Sequence, residues 1–90
     1  MTQVKLECGF EAEVDEGKVN DMEFLDMVYD FDADDEKRIF ALKRISDMLL
    51  KPEDKKRLYD AIRDENGRVP IDRFGEAMSN IIGQLNSKKK

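Results

Sequence analysis

The chain has 90 residues, of which 40% are hydrophobic and 41% are charged, and its net charge at pH 7 is −5. A chain of this length can bury one modest core, and because it lacks an apolar run of about 18 residues we expect no membrane span. It contains no histidine and a single cysteine, Cys8, so we predict no internal disulfide, no metal site, no bound cofactor and no enzymatic activity.

Charge is divided unevenly along the sequence. Residues 1–36 carry thirteen acids and two bases, whereas residues 37–90 carry eight acids and fourteen bases. Such a division can steer a charged partner or head-to-tail self-association. The acidic and basic parts can equally pair with each other within one molecule, or both can stay solvated. The sequence leaves these outcomes open.

Residues 2–14 are predicted to form a β-hairpin, because apolar residues recur at every second position. These apolar residues are Val4, Leu6, Phe10, Ala12 and Val14. A three-residue loop, 7–9, keeps them on one face and places Gly9 where a left-handed backbone is favoured. This register pairs Val4 with Ala12 and Lys5 with Glu11. The apolar face must then pack on the helices, since an isolated hairpin is marginal in water.

The first helix is predicted over residues 21–31, with Asn20 or Asp21 as its N-cap. Its apolar residues occupy more than one face, so both the hairpin and the next helix have a surface on which to pack. These residues are Met22, Phe24, Leu25, Met27, Val28, Tyr29 and Phe31. The helix is therefore expected to lie between two other elements.

An acidic run, residues 30–36, follows this helix and resembles the first half of an EF-hand calcium loop. The sixth position of such a loop would be Asp35 in place of glycine, and the twelfth would be Ala41 in place of the bidentate glutamate. We therefore expect no closed calcium site here. Instead, Asp34 or Asp35 is expected to cap the next helix.

A helix over residues 35–50 is predicted to be the central element, because its segment 39–50 contains eight apolar residues out of twelve. Leu42, Ile45 and Leu49 share one helical face. The other apolar residues widen that face: Ile39, Phe40, Ala41, Met48 and Leu50. We therefore expect this helix to be contacted on several sides.

A third helix is predicted over residues 52–64, because Pro52 suits the first helical position. Its expected buried stripe is Leu58, Ala61 and Ile62, with Tyr59 beside it, and its expected exposed bases are Lys55, Lys56, Arg57 and Arg63. Basic helices can bind nucleic acid, but no aromatic residues are interleaved on the basic face and the chain is acidic overall. We therefore do not expect nucleic acid as a partner.

The segment that follows imitates a second EF-hand loop, but Ile62 and Arg73 stand where its acidic end ligands would be. We interpret Asn66–Gly67 as a left-handed turn that ends the third helix. A fourth helix is predicted over residues 70–85. Its apolar residues recur at intervals of three and four, as a seam that suits the central helix or another copy of the chain. The seam consists of Ile71, Phe74, Met78, Ile81 and Leu85, with Ile82 beside it.

Together these elements predict an α+β fold in which a short N-terminal β-hairpin packs on about four α-helices. The domain is expected to span residues 1–86, and residues 87–90 are expected to form a disordered basic tail. So short a chain has more apolar faces than it can bury. Met27, Met78 and Ile82 are our candidates for a partner-binding or self-associating surface, although methionine is also ordinary core filler.

Three segments in this order carry a family resemblance: EFLDMVYDFD (23–32), ALKRISDMLL (41–50) and RLYDAIRDENGRVPIDRFGEAMSNII (57–82). They resemble the small tail assembly chaperones of long-tailed bacteriophages and prophages. The most specific part is the charged helix that leads into Asp64–Pro70, followed by an amphipathic helix. In that family the corresponding segment often reads like RDEDGRVP.

The resemblance implies a non-enzymatic protein that binds the long, helical tape measure protein before tail tube subunits polymerise around it. Such a protein acts in the bacterial host cytoplasm and is absent from the mature virion. A longer form made by ribosomal frameshifting would recruit tail tube protein. The codons of Lys88–Lys90 could form the run of adenines on which ribosomes slip, or these lysines could simply form a solvated basic tail. Two alternatives stay open: a degenerate EF-hand-like adaptor or interaction module, and a nucleic-acid-binding regulator.

Overall fold

The computed structural model describes residues 1–88 and contains a two-stranded antiparallel hairpin followed by four α-helices. The predicted α+β fold is therefore confirmed. The strands are β1 (Thr2–Lys5) and β2 (Glu11–Val14), followed by a 3₁₀ turn (Glu16–Val19). The helices are α1 (Met22–Ala33), α2 (Asp35–Leu49), α3 (Pro52–Ile62) and α4 (Ile71–Lys88).

The hairpin has the predicted register, with Val4 opposite Ala12 and Lys5 opposite Glu11. Its loop is closed by hydrogen bonds from the Leu6 N–H to the Phe10 carbonyl (2.9 Å) and from the Gly9 N–H to the Leu6 carbonyl (3.0 Å). Gly9 has a φ of +96°, which glycine adopts without the steric cost of a side chain. The inner face is buried through Val4, Phe10, Ala12 and Val14.

The 3₁₀ turn links the chain start and the end of α2 to the hairpin. Glu16 accepts a hydrogen bond from the Thr2 hydroxyl at 3.0 Å and forms an ion pair with the ammonium group of Met1 at 3.1 Å. Hydrogen bonds from its own backbone, from that ammonium group and from Thr2 lower the pKa of Glu16. The Lys18 ammonium group donates to the Met48 carbonyl at 3.0 Å, so it satisfies a carbonyl in the last turn of α2.

Helices α1 and α2 pack against each other more extensively than any other pair of elements in residues 1–88. Each begins at an aspartate cap: Asp21 accepts from the Glu23 N–H at 2.7 Å, and Asp34 accepts from the Lys37 N–H at 2.8 Å. Asp34 rather than Asp35 is therefore the cap of α2. Helix α1 ends at Ala33, two residues beyond its predicted end, and Asp34 directly follows it.

The core is formed by the inner face of the hairpin and by buried side chains of all four helices. Its least exposed large hydrophobic side chains are Val4, Val14, Ile45, Leu58, Met78, Ile81 and Leu85. In α2, Leu42, Ile45 and Leu49 are buried as predicted, but Ile39 and Phe40 are exposed. The expectation that this helix is contacted on several sides is wrong for its first half. Residues 32–40 are all exposed, because the start of α2 projects beyond the core.

Helix α3 buries Leu58 and Ile62, as predicted, but it ends at Ile62 and leaves Ala61 exposed. Lys55 is also not a simple solvent-facing base. Its ammonium group forms an ion pair with Asp47 and lies 5.9 Å from the ring centroid of Tyr59. Because Ala61 is exposed, the buried stripe of α3 is narrower than predicted.

The turn after α3 does not cap the helix in the way we predicted. Gly67 is left-handed, with a φ of +80°, but Asn66 is not, and both lie beyond the helix end. The turn is closed instead by Asp64, whose carboxylate accepts hydrogen bonds from the backbone N–H groups of Asn66 (2.9 Å) and Arg68 (3.0 Å). After the end of α3, hydrogen bonds to the Asp64 side chain thus replace the backbone hydrogen bonds of the helix.

Helix α4 carries the predicted seam, with Phe74, Met78, Ile81 and Leu85 buried. Ile71, the first residue of the seam, is exposed instead. The helix continues through residues 87 and 88, where we predicted a disordered tail. The rest of that prediction concerns Lys89 and Lys90, which lie outside the described residues.

Candidate protein-binding surfaces

The structure buries two of the three residues that we predicted to bind a partner. Met27 and Met78 belong to the core, the alternative that the sequence had left open for them, and only Ile82 is partly exposed. Met78 and Ile82 do lie together, at a crevice of about 140 Å³ that α1 also lines through Phe31. Met27 does not line this crevice. A binding role for these residues stays a prediction.

A larger groove lies between α2 and α4, with a volume of about 900 Å³, and we call it the α2–α4 groove. It is lined by Glu7 of the hairpin loop, by Asp35, Arg38, Ile39 and Leu42 of α2, and by Ile71, Asp72, Gly75, Glu76, Ser79 and Asn80 of α4. Ile39 is 49% exposed and Ile71 is 59% exposed, one on each helix. Both helices therefore present an uncovered isoleucine to the same groove.

The shape of the groove follows from helical spacing. Residues of α4 recur along it at intervals of four, so the face between Ile71 and Asn80 extends for about 14 Å. Gly75 contributes no side chain, and the nearest atom to a Cβ placed there would be Cζ of Phe31, at 3.9 Å. Leu42, which is buried, forms part of the apolar lining. The groove is thus open and elongated, and its lining combines apolar with charged side chains.

The charged side chains of the groove are predominantly acidic. Glu7, Asp35, Asp72 and Glu76 line it together with a single base, Arg38. None of these carboxylates forms an ion pair with a residue that the structure describes. The Arg38 guanidinium lies over the ring of Phe31, 4.8 Å from its centroid. Apolar helices can dock in such a groove, since helix-in-groove recognition uses anchors at three- and four-residue spacing.

A second exposed apolar surface lies on α1. Met22, Leu25 and Tyr29 are 68%, 55% and 75% exposed, and their spacing of three and four residues aligns them along the helix. We call these three residues the outer face of α1. The other large hydrophobic residues that are exposed on helices are Ile39, Phe40 and Ile71.

The two EF-hand-like stretches do not form loops of that type. Asp30 and Asp32 lie inside α1, and the Asp64 carboxylate is held by backbone N–H groups of its own turn. Within residues 1–88, no group of three or more Asp, Glu, Cys or His side chains is arranged to hold a metal ion. Cys8 is exposed in the hairpin loop.

Sequence reasoning missed Ile39 and Ile71 as surface residues, because both continue the apolar seams of their helices. In each case the sequence contains one feature that indicates exposure. Ile39 follows the uninterrupted charged run 34–38, and Ile71 directly follows Pro70 at the first position of its helix. Residues in the first turns of a helix lie at the edge of a small core, so their seam position does not ensure that they are covered.

Two further findings bear on function. No helix in the described part of the chain has the length and apolar character needed to cross a membrane. Comparisons of the chain with protein-family models, with curated proteins and with solved structures found no match.

Proposed function

We propose that this chain is a non-enzymatic tail assembly chaperone of a long-tailed bacteriophage or prophage, which binds the tape measure protein and keeps it soluble during tail assembly. The order of motifs from residue 23 to residue 82 supports this proposal. The structural observation that carries it is the α2–α4 groove, bordered by the exposed side chains of Ile39 and Ile71.

The groove suits a long apolar helix for energetic reasons. Burying an isoleucine side chain against a partner stabilises a complex by about 1.5–3 kcal/mol, before the entropy of association is subtracted. The groove spans only about 14 Å, which corresponds to about nine residues of a bound helix. One copy would therefore cover a short part of a tape measure protein, and many copies would be needed to shield it.

The proposal includes a place and a second partner. The protein acts in the cytoplasm of the bacterial host and is not retained in the mature virion. A frameshifted, longer form carries the segment that recruits tail tube protein. The gene tests this part directly. A run of adenines over the codons of Lys88–Lys90, followed by an overlapping open frame, supports it, whereas a stop codon with no second frame within reach contradicts it.

The function is tested by co-expression with the tape measure protein encoded next to this chain. We expect the wild-type chain to raise the soluble yield of that protein. The double variant Ile39→Gln, Ile71→Gln is expected to lose this effect, because both groove walls become polar. Phe40→Gln is the matched control, since Phe40 neighbours Ile39 on the same helix and is exposed but does not line the groove.

Two results would contradict different parts of the proposal. If the wild-type chain leaves the tape measure protein insoluble, the function is wrong. If the double variant solubilises it as well as the wild type does, the function stands but the groove is not its binding site. Circular dichroism of each variant shows whether the fold is retained.

A further inference from the structure

Helix α1 is apolar on two opposite faces. Phe24 and Met27 are buried and attach the helix to the core. The outer face of α1, formed by Met22, Leu25 and Tyr29, is exposed along the helix. A surface helix ordinarily has one apolar stripe, so the outer face lacks the cover that its composition favours.

The charged side chains of α1 itself are all acidic. Residues 19–36 contain eight acids and no base. None of these acids forms an ion pair within residues 1–88. Two of the three bases of α3, in contrast, form ion pairs: Lys55 pairs with Asp47, and Arg57 pairs with Asp54. The uneven charge of the sequence is therefore not neutralised by ion pairs inside the folded domain.

The charge also limits what can cover the outer face. Two copies that paired through α1 would bring two acidic helices together, which is unfavourable because like charges repel. Helix α3 of another copy is a poor match as well, because it carries three acids beside its three bases and none of the exposed large apolar side chains belongs to it. An occupant of this surface must be both apolar and basic.

We propose that the outer face of α1 docks an amphipathic helix of a separate protein, with apolar side chains at three- and four-residue spacing flanked by lysine or arginine. The apolar residues of that helix cover Leu25 and Tyr29, and its bases lie beside the carboxylates of Glu23 and Asp26. This surface is distinct from the α2–α4 groove, and the inference does not depend on the function proposed for the groove.

The test uses a labelled synthetic helical peptide of about 20 residues, in which leucines follow this spacing and lysines flank them. An otherwise identical peptide carries glutamate in place of lysine. Binding of each peptide to the full chain is measured by fluorescence anisotropy. We expect saturable binding of the basic peptide and affinity for the acidic peptide that is lower by about tenfold or more.

Variants locate the binding site. Leu25→Gln with Tyr29→Gln is expected to weaken binding of the basic peptide by about tenfold or more, because two apolar contacts are lost. Glu23→Gln with Asp26→Asn should reduce the salt dependence of binding. Phe40→Gln is the matched control, because Phe40 is exposed but belongs neither to the outer face of α1 nor to the α2–α4 groove, and this variant should bind the peptide as the wild type does.

Several results would overturn the inference. These are equal binding of both peptides, no binding of the basic peptide, or loss of binding in the groove variant Ile39→Gln, Ile71→Gln but not in the α1 variant. Analytical ultracentrifugation can supply a further contradicting result. If the wild-type chain forms a dimer and Leu25→Gln with Tyr29→Gln abolishes it, the outer face of α1 binds a second copy of the chain and not a separate protein. The co-expression result for the groove is independent of all these outcomes.

Discussion

Gln84 and Lys5 form a reciprocal pair of hydrogen bonds that joins α4 to the outer edge of the hairpin. The Lys5 backbone N–H donates to Oε1 of Gln84 at 3.0 Å, and Nε2 of Gln84 donates to the Lys5 carbonyl at 2.8 Å. A side-chain amide therefore takes the place of a neighbouring strand. It satisfies both polar groups that Lys5 presents at the open edge of β1, where an unpaired edge otherwise invites association.

We expect Gln84→Met to lower the free energy of unfolding by about 1–2 kcal/mol, because it keeps the side-chain length but removes both hydrogen bonds. Urea denaturation measures the loss, and hydrogen exchange of the Lys5 amide should become faster. Gln3→Met is the control, since within residues 1–88 the Gln3 side-chain amide donates a hydrogen bond only to the exposed Glu11 carboxylate, at 3.2 Å. Equal destabilisation by both variants would show that the Gln84 contact has no special role.

The core of α2 is tested by Leu42→Ala and Ile45→Ala. Each should lower the free energy of unfolding by about 2–5 kcal/mol, because both side chains are buried and truncation leaves a cavity. Phe40→Ala on the same helix should change it by no more than about 0.5 kcal/mol, since Phe40 is exposed. A loss at Phe40 as large as that at Ile45 would mean that the first half of α2 is covered after all.

Ser46 is completely buried, and its hydroxyl donates to the Lys43 carbonyl at 2.8 Å within the same helix. We expect Ser46→Ala to be tolerated, with a change within about 1 kcal/mol, because the carbonyl is already in the helix ladder. Ser46→Leu should instead cost about 1–3 kcal/mol, because the larger side chain overfills a packed site. Thermal unfolding of both variants checks the order, and a stable Ser46→Leu protein would contradict it.

Two glycines should respond to alanine with opposite signs. A Cβ at Gly83 in α4 would meet nothing within 4 Å, so Gly83→Ala should stabilise the protein by about 1 kcal/mol through helix propensity. Gly67 has a φ of +80°, so Gly67→Ala should destabilise it by about 1–2 kcal/mol. Urea midpoints of the two variants should lie on opposite sides of the wild-type value, and a shift in the same direction would refute this account.

Asp47 gives a pH-dependent contribution to stability. Its pKa is lowered below the usual 3.8, mainly by the hydrogen bond from Lys55 and then by that from Lys43. A carboxylate with a lowered pKa in the folded state stabilises that state above the unfolded pKa. The stability is lost as the pH falls from the usual aspartate range through the lower folded pKa.

Asp47→Asn should therefore be less stable than the wild type at neutral pH, by no more than about 1 kcal/mol, because Asp47 is half exposed and its ion pairs are screened by solvent. The two proteins should converge as the pH falls below the lowered folded-state pKa of Asp47. Thermal unfolding across this range measures the difference. A gap that persists at acid pH would have to come from packing rather than from the ion pairs.

Local chemistry determined the parts of the fold that were predicted correctly. The register of the hairpin follows from the alternation of apolar residues and from a loop that ends at Gly9, since both act within fourteen residues. Asp34 caps α2 through a hydrogen bond three residues away, and Pro52 occupies the first position of α3. Each of these signals concerns neighbours in sequence, so no tertiary contact was needed to interpret it.

The candidate surfaces could not be predicted in the same way. Periodicity shows which residues share a helical face, but only the packed domain decides which face is covered and how far the cover extends. Met27 and Met78 were candidates for either the surface or the core and are buried, whereas Ile39 and Ile71 continue buried seams and are exposed. The small core does not reach Ile39 of α2 or Ile71 of α4, and this limit depends on the crossing of helices that are distant in sequence.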